Sequence, residues 1–236
     1  HYEQAADYAR RALSIDTYDA AANYHFGLAS LLLGKLADAK DGFELATQSV
    51  EFRSAAFTEL SKLYLRSGEY ERALRYADKA LAFNRYDLDA LQVEAVVYRL
   101  QVKRVQAEGA LQTLLHFDPL NHFARFERSL WEPNAANRQA FVSLIRNEMP
   151  HETLLELAAW YAELGRWQEA EAVLQPAPAQ AEVRYWQASL KQRQGDSAKA
   201  QALLQEANAL TTRLVFPHRA ESFPDAAAHA ATSARD

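Results

Sequence analysis

The sequence predicts an all-α fold, a solenoid of antiparallel helix hairpins, and three observations carry that prediction. Ala39, Ala73 and Ala107 recur at a spacing of 34 residues, a period that marks repeats built from one supersecondary unit. Small residues hold one phase of every unit, at Gly27, Ser61, Ala95, Ser129, Ala158 and Ala188. Glycine recurs at a third phase, in Gly34, Gly68, Gly165 and Gly195.

The elements follow from these phases. A leading half unit covers 1–19, and units start at Ala20, Ser54, Leu88, His122, His151 and Ala181, so that 1–210 forms the solenoid. Within a unit the eighth residue is small because the two helices of a hairpin cross closely there. The twentieth faces that crossing and is small too, at Ala5, Ala39, Ala73, Ala107, Ala170 and Ala200; a larger side chain at Ala73 overpacks the crossing at a cost of about 1–3 kcal/mol. Phe43, Leu111, Leu174 and Leu204 stand four residues further on, giving an amphipathic second helix. The glycines end the first helices, since glycine readily takes the left-handed conformation of a helix C-terminus. Val102 occupies that phase in the third unit, and an irregular turn is expected there.

The fourth and fifth units are shorter, with Trp131-Glu132-Pro133-Asn134 at one turn and Gln175-Pro176-Ala177-Pro178-Ala179 at a helix end. Two prolines break the backbone ladder, so the neighbour-to-neighbour rotation is expected to change in this region. Residues 211–236 leave the pattern and read as a capping tail in which Ser222 and Asp225 cap a short helix with Pro224 in its first turn.

The small-x2-Tyr spacing of Ser61 to Tyr64 and Ala95 to Tyr98, and the Ala39-x3-Phe43 spacing, phased over six units, resemble the tetratricopeptide repeat family. The resemblance extends to about Leu210 and implies a right-handed superhelix. It departs from the family at Thr17, Glu51 and Arg85, where proline is usual between units; Pro119 keeps it. The Phe216-Pro217-His218-Arg219 ending and the Glu156-Leu157-Ala158-Ala159-Trp160-Tyr161 run are similar to the C-terminal repeat regions of large bacterial proteins with an N-terminal β-rich domain. That narrower resemblance implies a helical arm of a larger, carbohydrate-related protein. The start at His1, in the second half of a repeat and without an initiator methionine, is read as an excised piece of a longer chain.

Composition limits the functions. A net charge of −5 and a sequence pI near 5.8 argue against a nucleic-acid partner, which calls for a basic face. No run is long and apolar enough to span a bilayer. The absence of cysteine excludes disulfides, thiol catalysis and Cys-ligated zinc. Compartment is left unassigned, the cytoplasm being the preferred reading.

No glycine-rich phosphate loop, Gly-x-Ser-x-Gly elbow or His-Glu-x-x-His pair occurs, so no enzyme, cofactor or metal site is expected. His116 and His122 flank Asp118, where capping is the expected role.

Function in the resembled family is carried by the concave face of the first helices. Residue by residue, this implies a peptide-binding set of Tyr24, Leu28, Thr58, Lys62, Gln92, Arg99, Phe123, Phe126, Tyr185 and Gln192. The sixth position reads His25, Glu59, Val93, Glu127, Glu156 and Trp186, so neither the carboxylate clamp nor the asparagine ladder of other members is present. The expected ligand is an amphipathic helix or extended peptide held with roughly micromolar affinity, with Phe123 and Phe126 as aromatic anchors. The alternatives are packing against a neighbouring domain of the same protein, or self-association.

Overall fold

A computed structural model describes residues 1–131, 133–146 and 149–210. Thirteen helices and no strand are found among them. The chain divides into two compact units, one ending at Trp131 and one beginning at Glu132.

The first unit contains α1 (Tyr2–Leu13), α2 (Ala20–Leu32), α3 (Leu36–Ala46), α4 (Arg53–Arg66), α5 (Tyr70–Phe83), α6 (Leu88–Leu100), α7 (Arg104–Phe117) and α8 (His122–Trp131). Each helix packs on its neighbours in sequence, and α6 also touches α4 and α8. That is solenoid packing, in which each hairpin meets only the adjacent ones. The second unit contains α9 (Ala135–Ser143), α10 (Pro150–Glu163), α11 (Trp167–Leu174), α12 (Ala181–Arg193) and α13 (Ser197–Ala209), with α10 to α13 packed in succession.

The crossings are close because both partners are small. A methyl group on Gly27 of α2 would meet the Phe43 ring of α3 at 2.7 Å, and one on Gly42 would meet the Asn23 carbonyl of α2 at 2.7 Å. Ala39, Ala73, Ala107, Ala170 and Ala200 are all buried. Ala5 is exposed, contrary to its phase, and α1 instead buries Ala6 and Ala9. Leu204 is only half-buried.

The third hairpin turn is regular, which corrects the expectation at Val102. Val102 takes φ 58°, beside 73° at Gly34, 79° at Gly68, 69° at Gly165 and 84° at Gly195. Its successor closes the same backbone bond as in the glycine turns: Lys103 N–H donates to the Tyr98 carbonyl at 2.8 Å, as Lys35 does to Ser30 at 2.8 Å and Glu69 to Tyr64 at 2.9 Å. The helix-ending hydrogen bonds impose the left-handed residue, and valine adopts it at a steric cost.

Between hairpins, Asp and Asn side chains shape the turns. Asp16, Asn84 and Asp118 accept from the backbone N–H two residues on, at 2.9, 3.1 and 2.9 Å. Asp19, Asp87 and Asn121 then cap α2, α6 and α8. These side chains turn the chain both at the turns after Asp16 and Asn84, which lack proline, and at the turn that holds Pro119. The turn before α4 is built differently, with the Arg53 guanidinium donating to the Thr47 and Gln48 carbonyls at 2.8 and 3.0 Å. The expected capping tail 211–236, and Glu132 of the Trp131 to Asn134 turn, lie outside the described residues.

Candidate functional site

The first helices α2, α4 and α6 of the first unit bring together a pocket of about 280 Å³ lined by Tyr24, Ala55, Thr58, Glu59, Asp87, Leu88 and Asp89. Helical spacing places Thr58 and Glu59 one turn past Ala55 on α4. The N-terminus of α6 delivers Asp87, Leu88 and Asp89 together.

Each polar group is oriented by a second contact. Asp87 caps α6, accepting from Ala90 N–H at 3.1 Å through Oδ1. Its Oδ2 accepts from the Thr58 hydroxyl at 2.6 Å, which ties the start of α6 to α4. Lys62, one turn beyond Thr58 and Glu59, lies 3.2 Å from Glu59 Oε1 and also pairs with Asp89. Two carboxylates therefore share one ammonium group, and Asp87 stands beside them in the lining.

Tyr24 forms the aromatic wall, its ring centroid 5.6 Å from that of Phe43 and 5.4 Å from that of Phe52. Burial pushes its phenol above the ordinary value; Glu59, Asp87 and Asp89 push the same way, against the opposing pull of Lys62. Three of the seven lining residues are carboxylates. Among the described residues no group of His, Asp and Glu has a metal-holding arrangement.

The sequence-predicted residues separate into three groups. Tyr24 and Thr58 line this pocket, Lys62 pairs with its Glu59 and Asp89, and Leu28 lies half-buried one turn from Tyr24. Gln92 lies one turn past Leu88 on α6 and is half-buried, with its Oε1 buried and without a hydrogen-bond partner. Arg99 is committed to a neighbour: Nε and a terminal nitrogen donate to Glu127 of α8 at 2.6 and 3.2 Å.

Phe123 and Phe126 require correction. They are 2% and 4% exposed, too enclosed to act as surface anchors. α8 buries Phe123, Ala124, Phe126 and Glu127, a face too wide to leave both phenylalanines in a groove. Tyr185 and Gln192 belong to α12 of the second unit, where the Tyr185 hydroxyl bonds Asn208 Oδ1 at 2.9 Å and Gln192 is exposed.

Sequence reasoning missed Ala55, Glu59, Asp87, Leu88 and Asp89 as pocket residues, Glu59 having been read only as a sixth-position residue without a clamp role. Their signal was available as the Asp-x-Asp at the start of a unit, where a cap stands beside a second carboxylate. At His116 to His122, where capping was expected, Asp118 instead closes an Asx turn, accepting from Leu120 N–H at 2.9 Å, and Asn121 caps α8.

No protein-family model matches the sequence, and no curated protein does. Among solved structures, a tetratricopeptide repeat protein from Parabacteroides merdae is similar at 16% identity and a TM-score of 0.56, over 92% of this chain and 88% of that one. YrrB, a tetratricopeptide repeat protein with an unusual peptide-binding site, aligns at 18% identity and a TM-score of 0.48, over 87% of this chain and 93% of its own. The helix hairpins, their small-residue crossings and the likeness to the P. merdae protein together show that this chain has the tetratricopeptide-repeat fold.

Proposed function

We propose that this protein is an interaction scaffold that binds a peptide segment of a partner across the first helices of its first unit. The observation that carries this reading is the pocket lined by Tyr24, Ala55, Thr58, Glu59, Asp87, Leu88 and Asp89. It combines an aromatic wall, two apolar residues and oriented polar groups, the mixture by which a groove anchors a side chain while the rest of a peptide runs along it. Its polar groups are occupied in capping, hydrogen bonding and ion pairing, which suits recognition rather than bond-making.

The test is a random dodecapeptide display selection against the chain, followed by affinity measurements on the selected sequences. Ala55→Phe fills the pocket without removing any core side chain. Binding should weaken by roughly tenfold or more, the equivalent of about 1.4 kcal/mol, with an unchanged thermal transition. Selected peptides that bind wild type and Ala55→Phe equally would reject the pocket as the site.

A second reading, a helical arm packed on a neighbouring domain, is favoured by α1. Its residues Ala5, Tyr8 and Ala12 are all exposed, at the spacing of one helix face, and Ile15 in the turn that follows is exposed too. Cross-linking from Tyr8→Cys to another domain or subunit of the native protein would support it, and crosslinks confined to other surfaces would remove it.

A further inference from the structure

The pocket has a charge surplus that ordinary folding does not require. Asp87 is consumed by the α6 cap and by Thr58. Glu59 and Asp89 remain, and both turn to the single ammonium of Lys62. An ion pair needs one carboxylate, so the second stays undercompensated beside the opening; Asp89 keeps 43% of its side chain exposed.

Glu59 and Asp89 both line the pocket, so a cationic side chain entering it would bring donors to both carboxylates.

The remaining walls fit the rest of such a group. Ala55 and Leu88 offer apolar contact to an aliphatic stem, and the Tyr24 ring offers a π-face to a cation. A metal ion would need a group of ligating side chains that the described residues do not provide.

We propose that the pocket seats a lysine or arginine side chain of the bound peptide, held by Glu59 and Asp89 against the Tyr24 ring. The proposal rests on the peptide-binding reading above and adds the chemistry of the anchor residue. Charge complementarity selects this occupant: an acidic or neutral side chain would leave the second carboxylate uncompensated.

The experiment uses the full chain, the peptides selected by random dodecapeptide display, and three proteins: wild type, Ala55→Phe, and the double variant Glu59→Gln/Asp89→Asn. Asp87 is left intact because it caps α6. The expected result is a lysine or arginine at one fixed place in the selected peptides. Replacing it by citrulline or norleucine should weaken binding by roughly tenfold, and the double variant should lose a similar factor together with most of the salt dependence. Peptides blocked by Ala55→Phe yet free of a recurring cation, or unaffected by the double variant, would overturn the cation anchor while leaving the peptide site in place. Binding indifferent to all the variants, or no selectable peptide at all, would overturn both.

Discussion

Arg99 on α6 and Glu127 on α8 form a two-point ion pair, with nitrogen–oxygen distances of 2.6 and 3.2 Å and the Glu127 side chain only 1% exposed. The pair joins α6 to α8, the first helices of adjacent repeats. It explains why a glutamate at the sixth position of a repeat serves stability here rather than ligand binding. Breaking a buried pair by removing one member leaves a bare charge inside, whereas replacing both is often tolerated. Glu127→Leu alone should cost about 3–5 kcal/mol in urea unfolding, and Arg99→Leu/Glu127→Leu should recover a large part of it. Additive losses in that double-mutant cycle would show that the pair is not coupled.

Gly42 and Gly109 should respond to alanine in opposite directions. A methyl group at Gly42 would sit 2.7 Å from the Asn23 carbonyl and 3.0 Å from the Gly27 amide nitrogen, both backbone atoms that cannot swing away. Gly42→Ala should destabilise by about 1–3 kcal/mol. Gly109 lies exposed in α7 with nothing within 4 Å of an added methyl, so Gly109→Ala should stabilise by about 0.5–1 kcal/mol. Thermal melts of the two single variants check both signs.

Val102 is a β-branched residue held at φ 58° and 78% exposed. Glycine takes that conformation without the Cβ clash, so Val102→Gly should raise stability by about 1 kcal/mol. The converse change, Gly68→Val, should lower it. Equal melting temperatures for wild type and Val102→Gly would mean that the left-handed turn carries no strain.

Glu94 on α6 supplies a pH dependence. Burial, then its hydrogen bond and like charge with Asp78 of α5, push its carboxyl from 4.5 up to about 8. The folded chain therefore holds a proton that the unfolded chain releases. Stability from this group is fully present below about pH 4.5, falls as the pH climbs, and stops falling near 8. Glu94→Gln keeps the neutral shape, so it should flatten that slope and be more stable than wild type at pH 8. Parallel slopes for the two proteins between pH 4.5 and 8 would refute the assignment.

The recurrence of Ala39, Ala73 and Ala107 and the glycines at the hairpin turns made the fold class legible. Period and residue size report the closest backbone approaches directly, and those approaches tolerate few side chains. Two of the seven lining residues were legible by the same register, since Tyr24 and Thr58 share one repeat position, and Lys62, which pairs with Glu59 and Asp89, follows four residues after Thr58. Asp87 and Asp89 were less visible because one residue type serves as helix cap and as pocket wall, and the chain alone does not separate the two roles.

By itself, the sequence determined the unit of architecture, because a helix hairpin is specified by local spacing within a few turns. Tertiary structure alone decided what each polar and aromatic residue does. Phe123 and Phe126 hold concave-face phases yet are enclosed, and Arg99 holds a ligand-facing phase yet is claimed by Glu127. Val102 folds as glycine would because the hydrogen bonds of its turn outweigh the strain of its side chain. Burial and pairing depend on which helix arrives opposite, a non-local fact that no register within one repeat contains.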